Sequence, residues 1–160
     1  MWINLSNIVS QDEFFMAKAL AQAKKAQNIG EVPIGAVLVI NGEIIAEDFN
    51  RTITNCDPTA HAEILVIRKA AEVNNNYRLI DAKLYVTLEP CIMCLGALVQ
   101  ARVSEVVYAT ADSRVGVFSC KKLHEIKDIN HNMIVRDGAL AEECASLLKD
   151  FFRKKRQTKV

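Results

Sequence analysis

No stretch of this sequence is both long enough and apolar enough to cross a bilayer. Its longest apolar runs, Ile34 to Ile40 and Ile92 to Val99, fall far short of the about 20 residues that a spanning helix needs. The N-terminus, Met1-Trp2-Ile3-Asn4-Leu5-Ser6, has no basic lead-in, no sustained apolar core and no small-residue cleavage site. No export signal is expected there, and a cytoplasmic location is. Cysteines are few and irregular: five, at 56, 91, 94, 120 and 144, an odd set without the density of a secreted disulfide framework. Internal repeats, low-complexity segments and interdomain linkers are also missing. A chain of 160 residues fits one domain, residues 1–160, and is large enough to bury a core without disulfide staples. With 51% hydrophobic and 24% charged residues, it is neither disordered nor fibrous, and composition says nothing further about activity. Net charge is nearly absent too, at +1, but it is unevenly spread. Arg153, Lys154, Lys155, Arg156 and Lys159 crowd the C-terminus, and without them the chain would be net acidic. Attraction to a polyanion is therefore local to that end or assembled by folding.

Periodicity supplies an outline of the fold. From Gln11 to Gln27, Phe14, Ala17, Leu20, Ala21 and the stem of Lys24 recur at helical spacing, which predicts a first helix packed through those residues. Ile34 to Ile40 and Glu43 to Phe49 are β-rich runs joined by Asn41-Gly42, a strong signal for a type I′ hairpin. A polar loop then runs to His61, and Ile64, Ile67, Arg68 and Ala71 mark one face of a second helix that stops in Asn74-Asn75-Asn76. A strand at Lys83 to Leu88, a helix opening at Pro90 and a strand at Glu105 to Thr110 make a unit that normally joins parallel strands. A weaker strand at Met133 to Arg136 precedes a last helix from about Ala139 to Arg156, with a core stripe of Leu140, Cys144, Leu147, Leu148 and Phe151. The expected class is α/β, a mixed sheet of about five strands with helices on both faces.

The chemistry concentrates in His61-Ala62-Glu63 and Pro90-Cys91-Ile92-Met93-Cys94. Two thiolates three residues apart at a helix start turn toward one metal, and an imidazole from another helix supplies a third ligand of tetrahedral zinc, leaving one position open. Pro90 suits the first helical position, where a missing amide hydrogen is no loss. The dipole and free amides of that helix start favour the thiolate forms of Cys91 and Cys94. Glu63 is not needed as a ligand but lies within reach of a water on the metal. With zinc making hydroxide at neutral pH, Glu63 would take the water proton, give it to the adjacent ring nitrogen, and then protonate the departing ammonia. Pro-Cys-x-x-Cys with His-x-Glu is the signature of zinc-dependent nucleobase deaminases. Two buried core thiols, or a structural zinc completed by Cys120, are the alternatives; neither accounts for Glu63. His124 and His131 read as surface residues, Cys56 as a loop thiol and Cys144 as core.

Wider segments carry a resemblance. Asp57-Pro58-Thr59-Ala60-His61-Ala62-Glu63, Asn76-Tyr77-Arg78-Leu79 and Tyr85-Val86-Thr87-Leu88-Glu89-Pro90-Cys91 resemble the bacterial tRNA-specific adenosine deaminases of the cytidine/deoxycytidylate deaminase superfamily. The likeness runs from Glu31-Val32-Pro33-Ile34-Gly35-Ala36-Val37 to Asp150-Phe151-Phe152-Arg153. It implies a cytidine-deaminase-like three-layer α/β/α fold, a homodimer, one zinc ion per chain, and conversion of the wobble adenosine of an arginine tRNA to inosine. By position it also implies that Asn50 hydrogen-bonds the flipped purine, with Glu31 to Ile34, Val32 and Pro33 among them, in the wall around it. Asp112 would meet the nucleotide backbone, and Phe151, Phe152 and Arg153 would lie near the anticodon loop.

One stretch departs from that family. A small, glycine-rich run is replaced here by Val115-Gly116-Val117-Phe118-Ser119-Cys120, and a bulky Phe118 with one glycine fewer is expected to reshape the loop beside the pocket. A deaminase of free bases such as guanine also carries His-x-Glu and Pro-Cys-x-x-Cys and stays open as an alternative; the basic tail favours a polymer. A non-catalytic zinc-containing RNA-binding module is the third reading, against which Glu63 stands.

Overall fold

The computed structural model describes residues 5–125 and 130–158, with only the backbone described for 5–10 and 124. The readings made on Met1 to Asn4, on Lys159 and on the His124 side chain lie outside what is described. In chain order the elements are α1 (Leu5–Asn28), β1 (Gly35–Ile40), β2 (Glu43–Phe49), α2 (Ala62–Val73), β3 (Lys83–Leu88), α3 (Ile92–Gln100), β4 (Glu105–Thr110), a short 3-10 turn (Leu123–Glu125), β5 (Ile134–Asp137) and α4 (Ala141–Gln157). The five strands form one sheet in the order β2-β1-β3-β4-β5. Strand β1 is antiparallel to β2 and β3, whereas β3, β4 and β5 run parallel. The expected mixed sheet and parallel β3-α3-β4 unit are both present.

Successive residues of a strand face opposite ways, and here both faces are covered. Ala36, Leu38, Leu84, Val86, Val106 and Tyr108 point into a core shared with Ala62, Val66 and Ala70 of α2 and Leu95, Leu98 and Val99 of α3. Their neighbours Val37, Val39, Tyr85, Val107 and Ala109 point into a second core with Phe15, Met16 and Ala19 of α1 and Cys144 of α4. The central strands are therefore apolar throughout instead of alternating, as strands buried on two sides are. At the hairpin, Asn41 (φ 52°) and Gly42 (φ 81°) both lie in the left-handed region, as a type I′ turn requires. The pairing skips a residue between Leu38 and Val39, a bulge that no local signal in the sequence announced.

One helix face differs from expectation. In α1 the buried positions are Asp12, Phe15, Met16, Ala19, Gln22, Ala23 and Ala26, while Phe14 is 55% exposed and Ala17, Ala21 and Lys24 face outward. The cause is close approach. A Cβ on Gly35 would run into the carbonyl oxygen of Ala19 and the amide nitrogen of Ala23, so α1 lies with its backbone almost on β1, and only an alanine-rich stripe fits between. In α2 the core takes Ala62, Val66 and Ala70, with Ile67 packed partly against it, and Ile64, Ile67, Arg68 and Ala71 share one face, as expected, along an open groove. The α4 stripe agrees with the sequence: Cys144, Leu148 and Phe151 are buried and Leu140 and Leu147 half-buried. Burial pushes the Cys144 thiol up to about 12. Cys56 is exposed, as expected. His131 is not a plain surface residue, because it is half-buried with its Nε2 donating to the Val103 carbonyl at 2.6 Å.

A polar cluster closes the α1 side of the sheet. Arg136 of β5 pairs with both Asp12 and Glu105, Lys83 reaches Glu105 at 2.9 Å, and the Tyr85 hydroxyl donates to Asp12 at 3.0 Å. Burial alone would raise the Glu105 carboxyl, but Lys83 and Arg136 outweigh it and hold the group below the ordinary carboxylate range. A lowered folded-state value means stability that is fully present above that range and is lost as pH falls through the folded value. Arg136→Met leaves two buried carboxylates without their shared cation. It should cost about 2–3 kcal/mol, at or below the low end for a broken buried pair since Arg136 remains a third exposed. Urea melts of parent and variant at pH 7 and pH 4 check this, with the difference between the two proteins shrinking at the lower pH.

Candidate metal and catalytic site

Helices α2 and α3 begin at the same place. His61 is the N-cap of α2 (φ −73°, ψ 152°) and Cys91 the N-cap of α3 (φ −87°, ψ 175°), both extended, with their carbonyls accepting from Leu65 and Leu95 to start the helices. Pro90 is thus two positions earlier than expected, ahead of the N-cap and outside the helix that begins at Ile92, where its missing amide hydrogen is again no loss. The turn before α2 is built by Asp57, whose Oδ1 accepts from the Thr59 amide at 2.8 Å and hydroxyl at 2.7 Å. These bonds hold the Asp57 carboxyl below its usual range.

His61 Nδ1 lies 3.7 Å from Cys91 Sγ and 3.5 Å from Cys94 Sγ, and the two sulfurs are 3.7 Å apart. Zinc bonds of about 2.3 Å to sulfur and 2.0–2.1 Å to nitrogen, set tetrahedrally, give ligand-to-ligand edges of about 3.5–3.8 Å. The triangle therefore has the size of one face of a tetrahedral zinc site. Among the described residues these three form the only such cluster of potential ligands; Cys120 is exposed and outside it. Without a cation the thiols divide one proton: the Cys94 thiol and the His61 imidazole beside Cys91 hold it near 3, while Cys94, facing Cys91 and buried, is pushed far up. Cys91 in turn raises His61. A metal in the triangle would take that proton's place.

Glu63, in the first turn of α2, is 4% exposed, and burial raises its carboxyl above the ordinary range. The Cys94 thiol is the side chain against it. Asn50 is also buried, at 4%. Its amide nitrogen donates to the Thr52 hydroxyl at 3.3 Å, and Thr52 in turn faces Glu31.

Other residues named from the sequence separate into groups. Val32, Asp112 and Phe152 border one groove of about 630 Å³, together with Leu88, Arg114, Lys149 and Arg156. Phe151 is turned into the core at 7% exposure, Pro33 is buried, and Arg153 pairs with Asp150 at 2.9 Å on the helix surface. The departure at 115–120 does not fill the groove. Val117 and Phe118 are core residues, and Phe118 stacks on Tyr108 with ring centroids 6.0 Å apart.

Sequence reasoning placed Glu31 in the pocket wall without finding what it binds, and it gave Glu89 no role. Glu31 is fully buried and accepts from the Thr54 amide at 2.6 Å. Burial would raise it, yet the Thr54, Ile53 and Thr52 donors together hold it low. Glu89, 3% exposed, grips the loop after β4. The available signal was an acidic residue directly abutting an apolar strand run, as in Leu88-Glu89-Pro90.

Comparison with known proteins agrees with this geometry. The family model described as MafB19-like deaminase matches residues 10–156. A tRNA-specific adenosine deaminase of Bacillus subtilis (strain 168) is 48% identical over 152 residues, covering 94% of both chains. A solved structure from a study of A-to-I editing by tRNA:A34 deaminases at the wobble position has 44% identity and a TM-score of 0.82, covering 84% of this chain and 99% of that one. A guanine deaminase from Bacillus subtilis superposes less completely, with 48% identity, a TM-score of 0.59 and 62% of this chain covered against 64% of its own.

Proposed function

The chain belongs to the MafB19-like deaminase family and groups with its tRNA-specific adenosine deaminases, and from that premise we propose that it hydrolyses the wobble adenosine of a tRNA anticodon to inosine and ammonia. The observation that carries the reading is the His61, Cys91 and Cys94 triangle of tetrahedral dimensions with a buried Glu63 against it. We assign zinc to the triangle, one ion per chain; when bound, it supplies hydroxide at neutral pH. Glu63 would then do the proton work: its carboxylate takes one proton from the attacking water and delivers it to the purine nitrogen beside the amino-bearing carbon, then takes the second from the hydroxyl added to that carbon and passes it to the amino group, which leaves as ammonia while the carbonyl forms. Burial suits it to hold that proton between steps. Asn50, in its buried turn, would orient the base. The RNA flanking the base would follow the groove bounded by Val32, Asp112 and Phe152, whose cations Arg114, Lys149 and Arg156 match a phosphate chain. This reading places the protein in the cytoplasm with its substrate. Better coverage by the tRNA deaminase structure than by the guanine deaminase favours RNA over a free base.

Incubation with an anticodon stem-loop bearing adenosine at the wobble position, followed by nucleoside mass spectrometry, tests the assignment. Two variants separate its parts. Cys94→Ala should leave less than about a tenth of the zinc, whereas Glu63→Gln should keep one zinc per chain and lose about 10³-fold or more in kcat. Full zinc in the first, or near-parental turnover in the second, contradicts the roles given.

The outward face of α3 supports a dimer. Ile92 is 67% exposed, and Met93 and Ala97 join Ile64, Ile67, Ala71 and Tyr77 around an apolar groove of about 460 Å³. We propose that a second copy covers it, as the family resemblance implies. Light scattering should give twice the 17.8 kDa chain mass, and Ala97→Glu, which puts a charge into the covered face, should return the monomer.

The C-terminal cations divide by position. Arg156 borders the groove, Arg153 is tied to Asp150, and the Lys155 ammonium lies 5.5 Å from the Phe151 ring centre. Replacing Arg153, Lys154, Lys155 and Arg156 by Gln should raise KM for RNA and flatten the logarithmic salt dependence of binding by about 0.7–0.9 for each phosphate no longer neutralised. Zinc content and melting temperature should stay near parental. Arg156→Gln alone should account for more of the change than Arg153→Gln.

A further inference from the structure

Glu89 takes no part in the proton path, yet each of its four lone-pair directions meets a donor. Oε1 accepts from the Phe118 and Ser119 amides, both at 2.7 Å. Oε2 accepts from the Asp112 amide at 2.9 Å and the Ser119 hydroxyl at 2.7 Å. The Glu89 backbone amide donates to Thr110 at 2.9 Å, so the residue is bound to β4 and to both ends of the loop that follows it. A carboxylate has four acceptor sites, and here none is left over.

The loop is shaped around that carboxylate. Gly116 is buried, and a Cβ there would collide with Glu89 Oε2 and Cδ and lie 2.5 Å from the Asp112 carbonyl oxygen. Val117 and Phe118 anchor the inner side in the core, leaving Ser113, Arg114 and Val115 exposed. Asp112 Oδ1 tightens the tip by accepting from the Arg114 and Val115 amides at 2.8 and 3.2 Å. Asp112, Ser113 and Arg114 form one wall of the 630 Å³ groove, and Leu148, Lys149, Phe152 and Arg156 of α4 form another. Glu89 precedes Cys91 by two residues, so one side chain ties this wall to the segment that enters the metal triangle.

We propose that Glu89 is a positioning residue for RNA binding: its carboxylate fixes the Asp112–Ser119 loop and so sets the groove wall that faces α4. The effect on RNA rests on the function proposed above; the effect on the loop does not. Glu89→Gln preserves shape but turns an amide NH2 toward backbone N–H groups that need an acceptor, leaving buried donors unpaired. In the zinc-loaded protein, tryptic cleavage after Arg114 should accelerate about tenfold. KM for the anticodon stem-loop should rise about tenfold with kcat within about twofold and zinc still at one per chain. Gly116→Ala, which drives the loop off an intact Glu89, should reproduce the pattern. It also serves if Glu89→Gln fails to fold. Ser119→Ala, which removes one donor of four, should give a smaller shift in the same direction.

Unchanged cleavage and unchanged KM in both Glu89→Gln and Gly116→Ala would overturn the proposal. So would a fall in kcat or zinc content with KM unmoved, which would make Glu89 a support of the Cys91 turn instead. A parent protein that leaves the stem-loop adenosine untouched breaks the functional reading, and the cleavage rates then still decide whether Glu89 holds the loop.

Discussion

The convergence of two helix starts on one point is the constraint on which the site depends. N-cap residues are the ones whose side chains stand over free backbone amides. In most helices serine, threonine, aspartate or asparagine fill this position; here the caps of α2 and α3 are His61 and Cys91, and neither side chain makes a capping hydrogen bond. That leaves the imidazole and thiol free for each other and for Cys94, two turns of chain brought within 3.5–3.7 Å. The positive ends of both helices fall on this spot, which favours thiolate over thiol and a negatively charged ligand set over a neutral one. The caps that would have been most stabilising locally are replaced by residues that could hold a metal.

Holding two helix ends together requires a rigid sheet beneath them. Both α2 and α3 lie on the face carrying Ala36, Leu84, Val86 and Val106, and Ala62, Val66, Leu95 and Leu98 reach down into one core. The opposite face is closed by α1, close enough that Gly35 cannot carry a side chain. The Gly35 amide donates to the Thr87 hydroxyl at 3.1 Å, linking β1 to the strand that runs into Glu89 and the metal-binding turn. A substitution at Gly35 would therefore disturb the site through the sheet, although the residue touches none of the three ligands.

What was legible in the sequence had a local cause. Strands β1, β3 and β4 stood out as apolar runs, the hairpin as Asn41-Gly42, and Cys91 with Cys94 as a pair whose spacing alone places both on one helical turn. His61 and Glu63 were legible because they also share a turn. The phase of α1 was not, since periodicity weights large side chains such as Phe14, while close packing against Gly35 selected alanines at 19 and 23. Val32, Asp112 and Phe152 could be gathered around one groove only by resemblance, because three distant segments build it. The roles of Glu31 and Glu89 were hidden for the same reason: their partners are backbone amides 23 to 30 residues away.

The buried carboxylates also explain why Glu63 differs from residues of the same type around it. Glu31 and Glu89 face backbone N–H groups, and Glu105 and Asp48 face lysine and arginine. At Glu31 and Glu105 those partners outweigh burial and hold the carboxyl below the ordinary range, which suits neither to carry a proton through a cycle. Among the carboxyl groups whose proton affinity is displaced, Glu63 is the one displaced upward. Burial drives it up, and a cation in the triangle beside it would pull it back down. A group under those two opposed influences would suit the proton transfer proposed for it. Glu89, by contrast, has all four acceptor directions taken by loop donors, an arrangement suited to holding a loop and not to passing a proton.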